Sequence, residues 1–171
     1  MKRIVAFLLA LPMVLALTAC GDGTVETSST PTPQPRDMFV FVYKGCELPM
    51  NAEFAPLLET IGEPDTYFEA ASCAFDGLDK IYTYGGIELT TYPDGDKDYI
   101  SSIRLLDNTA STPEGITIGS TTEEVVAAYG NEYTDSGDLY TWENDNAILS
   151  ILFDNGVAIS VEYIALNDLL V

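Results

Sequence analysis

Between residues 38 and 171 the chain carries one short pattern twice, and a duplication of this length restricts the fold more than any other feature. In the first copy Asn51 stands where a helix cap is needed. Phe54, Leu57, Leu58 and Ile61 follow at i, i+3, i+4, i+7 as one apolar stripe, and Gly62 and Pro64 provide the stop. Pro56 falls near the first turn, where a missing N–H costs least. In the second copy Ser120 and Glu123 offer an S-x-x-E capping box, Val125, Val126 and Tyr129 the apolar face, and Gly130 the end. Strand-like segments then correspond: Ile81-Tyr82-Thr83-Tyr84 with Leu139-Tyr140-Thr141-Trp142, Tyr92-Pro93-Asp94-Gly95 with Phe153-Asp154-Asn155-Gly156, and Ser102-Ile103-Arg104-Leu105 with Ser160-Val161-Glu162-Tyr163. Asp94-Gly95 and Asn155-Gly156 are hairpin-turn signals, the first turn longer by Asp96, Lys97 and Asp98, and Gly45 precedes the first helix as Gly115 precedes the second. The pattern predicts an α+β fold of two tandem α-β-β-β units, residues 38–107 and 115–171, joined by a linker at 108–114 and led by a strand at Met38 to Tyr43. The helices should pack on one face of antiparallel sheet.

The N-terminus has a different composition. Lys2 and Arg3 precede an apolar run from Ile4 to Leu17, broken only by Pro12, and Leu17-Thr18-Ala19-Cys20 follows. Charge, apolar core and small residues in that order mark a signal peptide over residues 1–19, the run being shorter than the roughly 20 residues a transmembrane helix needs. The tetrapeptide ending at Cys20 resembles the lipobox of bacterial lipoproteins, which implies cleavage before Cys20 and a diacylglycerol on its thiol. Residues 20–37, rich in Ser, Thr and Pro, read as an extended tether. Cleavage removes Lys2 and Arg3 and leaves five cations against 27 acidic residues. Such a surface repels nucleic acid and anionic headgroups, so the lipid would do the membrane binding.

Cys46 and Cys73 remain, an even number in an exported chain, and a disulfide between them is the default expectation, with two free thiols the competing one. With no C-x-x-C and no histidine to activate a thiol, a catalytic cysteine is disfavoured.

Strand alternation assigns Val157, Ile159, Val161 and Tyr163 to a helix-facing side and Ala158, Ser160 and Glu162, with Ser102 and Arg104, to the opposite side. Tyr82, Tyr84, Tyr140 and Trp142 recur at alternate positions and share one side within each unit. Two outcomes are open: an aromatic platform on the open face, completed by Arg104 and Glu162, or rings packed on the helices with the threonines outward. The acidic loop Asp94 to Asp98 begins like a calcium loop, but Tyr99 and Leu105 occupy the positions of the turn glycine and the bidentate glutamate. No metal site or cofactor is expected. G-x-S-x-G, S-x-x-K, P-loop and H-E-x-x-H motifs are absent, so the chain reads as no enzyme; a carboxylate-based envelope enzyme ranks behind a lipoprotein that binds a small molecule, a glycan or a divalent cation.

The entry Gly115-Ile-Thr-Ile-Gly-Ser120 and the helix ends Tyr129-Gly130 and Ile61-Gly62, set in tandem helix-plus-sheet units, resemble the beta-lactamase-inhibitory-protein-like fold, shared with small envelope lipoproteins of the BamE type. The resemblance covers roughly residues 38 to 165, and the whole chain is similar to lipoproteins of Gram-positive bacteria carrying this fold. It implies a binding or scaffold module, anchored on the extracytoplasmic face of the cell membrane, that takes an envelope protein as partner through a sheet face. Nothing in the residues ties the chain to beta-lactamase inhibition itself.

Overall fold

The computed structural model describes residues 39–167. The predicted signal peptide, the lipidation site Cys20 and the tether lie outside the described residues. The order of elements is β1 (Val40–Tyr43), β2 (Cys46–Pro49), α1 (Phe54–Ile61), β3 (Thr66–Ala71), β4 (Leu78–Tyr84), β5 (Ile87–Asp94), β6 (Lys97–Leu105), α2 (Thr122–Tyr129), β7 (Thr134–Asp135), β8 (Leu139–Glu143), β9 (Ala147–Asp154) and β10 (Val157–Ala165). The fold is α+β. β1 and β2 form a separate hairpin, and the other strands form one antiparallel sheet in the order β3-β4-β5-β6-β10-β9-β8-β7. Four strands follow each helix, one more than the sequence pattern predicts. The additional ones, β3 and β7, are the sheet's edges, where exposure of every residue erases the alternation that reveals a strand.

Both helices lie over one face. Tyr67, Tyr82, Leu89, Ile103, Tyr163, Leu149 and Trp142 are successive cross-strand neighbours and therefore share a side of the sheet. Tyr82, next to the Tyr67 end of this row, meets Phe54 of α1 with ring centroids 4.7 Å apart, and Trp142 at the other end meets Tyr129 of α2 at 5.6 Å. The β1–β2 hairpin covers the middle, Phe41 lying edge-on to Tyr163 at 5.8 Å. The core is the space between this row and those three elements.

The caps differ from the sequence expectation at both helices. Asn51 does not cap α1; the N-cap is Glu53, which makes no side-chain cap bond. Asn51 instead adopts φ 61° and donates its side-chain amide to the carbonyls of Leu166 (2.9 Å) and Asn146 (3.3 Å). Its Oδ1 accepts from Asn167 (2.7 Å) and the Tyr92 hydroxyl (3.2 Å). These distant partners outcompete a local cap because asparagine tolerates the left-handed conformation that aims the amide at them. At α2 the capping box is Thr121 with Glu124, one residue beyond Ser120 and Glu123; Ser120 faces back and accepts from the Thr117 N–H at 3.1 Å.

Both hairpin turns between the last two strands of each meander have two residues. Asp94 pairs directly with Lys97, so Lys97 and Asp98 belong to β6 and the predicted longer turn is not formed. Asn155 and Gly156 both adopt positive φ, 51° and 77°, as a type I′ turn requires. Gly45 closes the β1–β2 hairpin with Lys44, both at positive φ. A bulge interrupts each final strand one residue before a serine: the register slips at Ser101, before Ser102, and at Ile159, before Ser160. The second slip corrects the predicted faces of β10. Before it Ala158 turns inward and is fully buried, while Val157 and Ile159 are exposed; after it Val161 and Tyr163 face the core as expected.

Cys46 and Cys73 are free thiols, not the expected disulfide. Cys46 pairs with Tyr43, whose ring packs on Tyr84 at one end of β4, whereas Cys73 lies in the loop entering the other end. The seven residues of β4 span roughly 20 Å, and a bridge requires Cα atoms within about 7 Å.

Candidate functional site

The repeated aromatics are core side chains. Tyr82, Tyr84 and Trp142 are buried and Tyr140 is half-buried, so the expected aromatic platform on the open face does not exist and the packed alternative holds. Their positions in the repeat have a defined use. Tyr84 donates its hydroxyl to the carbonyl of Gly62 and Trp142 donates its indole N–H to that of Gly130, each at 3.1 Å. Corresponding aromatics thus satisfy the terminal carbonyl of the helix that precedes them. Burial pushes the Tyr82 and Tyr84 hydroxyls up to about 12. Tyr140 stacks on Tyr133 at 4.3 Å and meets Phe153 at 5.0 Å, which ties the β8 end of the sheet to the loop after α2.

Turning the rings inward leaves the alternate positions outward, and these build the open face. Thr66, Thr83, Glu88, Arg104, Glu162, Ser150, Thr141 and Thr134 are successive cross-strand neighbours, one from each strand of the sheet. At the centre the Arg104 guanidinium donates to Glu88 at 2.7 Å, with Glu162 on its other flank. One cation between two carboxylates leaves an excess negative charge in the middle of the face. The neighbouring rows mix apolar and polar positions: Phe68, Ile81, Thr90, Ser102, Ile164, Ile148 and Glu143 on one side, Ser160, Leu152 and Leu139 on the other. Phe68 is 61% and Leu152 36% exposed, and the bulged Ile159 52%. Of the sequence-predicted residues, Arg104 and Glu162 therefore meet on the open face. No motif marks Phe68, Ile81, Ile148 or Leu152 as a surface residue, although period-two alternation opposite the buried rings places the last three on the open face.

A separate feature lies beside α2, a shallow cleft of about 800 Å³ between residues 114–120 and the helix flank at Glu124, Ala127 and Ala128. Next to Glu114, at its rim, is a compact polar cluster: the Tyr129 hydroxyl donates to Glu114 (2.7 Å) and lies 2.8 Å from the Thr112 hydroxyl and 3.2 Å from that of Tyr163. Burial foremost, then the neighbouring Tyr163 and Glu114, raise the Tyr129 hydroxyl far above the ordinary phenol range, so it acts as a fixed donor. The acidic hairpin is engaged in ion pairs, Lys97 with Glu53 and Lys80 with Asp98, both at 2.6 Å. No group of three or more acidic or cysteine side chains is placed to hold a metal among the described residues.

No helix among the described residues is long and apolar enough to cross a membrane. No family model matches the chain, and no curated protein does. Among solved structures it is similar to an extracellular protein containing an SCP domain from Bacillus anthracis str. Ames, with 12% identity and a TM-score of 0.49. The match covers 71% of this chain and 45% of that one, so the chain spans less than half of its neighbour's length.

Proposed function

We propose that this chain is a lipid-anchored, extracytoplasmic binding module that docks an envelope protein on its open sheet face. The observation that carries the reading is the one-sided covering of the sheet. α1, α2 and the β1–β2 hairpin all pack on one face, while the other presents apolar side chains around the Glu88–Arg104–Glu162 row. Apolar surface left open around a central arginine is the composition of a protein-docking patch. The acidity of the chain favours a partner with a basic surface and speeds their encounter. The module is read as two copies of one helix-plus-meander unit of the beta-lactamase-inhibitory-protein-like type. The mirrored strand order, the paired bulges and the matching Tyr84–Gly62 and Trp142–Gly130 bonds support that reading. Anchoring rests on Cys20 and the signal before it.

The test is capture from native envelopes with the full chain, beside Arg104→Glu and Ile148→Asp. A protein held by the wild type and reduced about tenfold or more by either variant supports the site, since a central interface residue is worth ~1.4 kcal/mol or more. Equal capture by all three refutes it. Labelling with a fatty acid that is lost on Cys20→Ser tests the anchor separately. The cleft beside α2 favours, as a second reading, a small-molecule or glycan ligand held near Glu114 and Tyr129.

A further inference from the structure

The two edges of the eight-stranded sheet differ. β7 has two residues, whereas β3 has six, Thr66–Ala71, all exposed, with β4 as its only pairing strand among the described residues. Long edges are ordinarily guarded by lysine, proline or a bulge, because an edge strand turns alternate backbone N–H and C=O groups outward. β3 contains none of these. Its one charge, Glu69, accepts from the Tyr67 hydroxyl on its own strand, and Tyr67 and Phe68 are 49% and 61% exposed.

We propose that β3 pairs antiparallel with β3 of a second copy about a two-fold axis through Phe68, extending both sheets into one. The pleat limits the registers available. Directly opposed residues of an antiparallel pair project to the same side, so the axis must pass through a residue and not between two. An axis at Glu69 sets two carboxylates face to face, and an axis at Tyr67 sets Glu69 against Asp65. An axis at Phe68 sets Phe68 against Phe68 on the open face and Tyr67 against Glu69 twice on the helix side, with Thr66 against Ala70. That register is self-complementary in packing and hydrogen bonding, as an isologous contact has to be. A strand of six residues buries less than the ~1,200 Å² of a stable interface, and the acidic copies repel, so the pairing is weak and depends on local concentration.

Cysteine trapping in cells producing the full chain tests this, in a Cys46→Ser/Cys73→Ser background that sets the zero. On the axis the two copies of residue 68 lie ~5 Å apart, while two copies of residue 66 or of residue 70 lie ~14 Å apart. Phe68→Cys is therefore expected to form disulfide dimers about tenfold faster than Thr66→Cys or Ala70→Cys alone, and mixing the last two restores the fast reaction. All three positions are exposed, so the substitutions leave the core intact. Equal rates at the three positions overturn the proposal, as does faster dimerisation through Leu152→Cys on the open face, or a Phe68→Cys cross-link to a different protein in place of a second copy.

Discussion

Asn51 concentrates four interactions at one side chain in a backbone conformation that few residues accept. It gives two hydrogen bonds to carbonyls and takes two from Tyr92 and Asn167 at φ 61°. Asn51→Ala removes all four and adds left-handed strain, with an expected loss of about 3 kcal/mol in urea denaturation. Asn51→Gly removes the bonds without the strain, so the difference between the two variants isolates the backbone term at about 1 kcal/mol. The tyrosines make a second, pH-dependent prediction. Tyr67, Tyr82 and Tyr84 hold their protons up to about 12, Tyr67 chiefly through its bond to Glu69 and the other two through burial, and Tyr129 holds its own beyond that. Folded pKa values above the unfolded value of about 10 mean that the native state binds more protons in that window. Their stabilising contribution is complete below pH ~10 and is lost as pH rises toward ~12, and Tyr129→Phe should shallow the decline seen in denaturation curves. The aromatic spacing in the sequence had fixed which rings travel together but not where they face. Tyr84 and Trp142 face inward because each has a helix-end carbonyl to satisfy, a partner more than ten residues away that no local pattern displays.

At the scale of the elements, the two bulges decide which positions of β6 and β10 reach the core. Ala158, Val161, Tyr163 and Ala165 are buried, and the slip at Ile159 reconciles the first with the rest. Deleting Ile159 restores strict alternation with every inward residue still inward, so the variant should fold with unchanged near-UV dichroism and a loss of about 1 kcal/mol. Deleting Ser150 from the regular strand β9 sends half of that strand to the wrong side and should abolish the cooperative transition. At α2, Thr121→Ala should cost about 1 kcal/mol through loss of the capping box. Existence and order of the helices, the β4–β6 and β8–β10 strands and the places of both hairpin turns were legible because each follows from periodicity or turn chemistry, whereas the length of the first turn was not. The cap positions, the bulges and the free thiols were not. A cap one residue later is equally compatible with the Ser-Thr-Thr-Glu-Glu run, a bulge leaves no mark in composition, and an even cysteine count says nothing about distance along a strand.

For the whole molecule, charge and topology set the terms. With a net charge of −20 and three ion pairs among the described residues, self-repulsion opposes the compact state, so raising salt from low to about 0.5 M should raise the melting temperature by several degrees. A fall would place the dominant electrostatics in those three pairs instead. The two meanders join along one seam, β6 against β10, paired at Glu162–Arg104, Tyr163–Ile103 and Ile164–Ser102. Each meander is built from neighbours in sequence and can zip without the other, which makes the seam the slow, non-local event. The Asn51 bonds add a condition in time. A residue placed before the first helix reaches its partners at Leu166 and Asn167 only after more than a hundred further residues have been made. During synthesis the early half can therefore assemble its strands yet stay open at that corner. Closure waits for the distal end of the chain, and until then a protease meeting the nascent chain would find the segment before α1 open to cleavage.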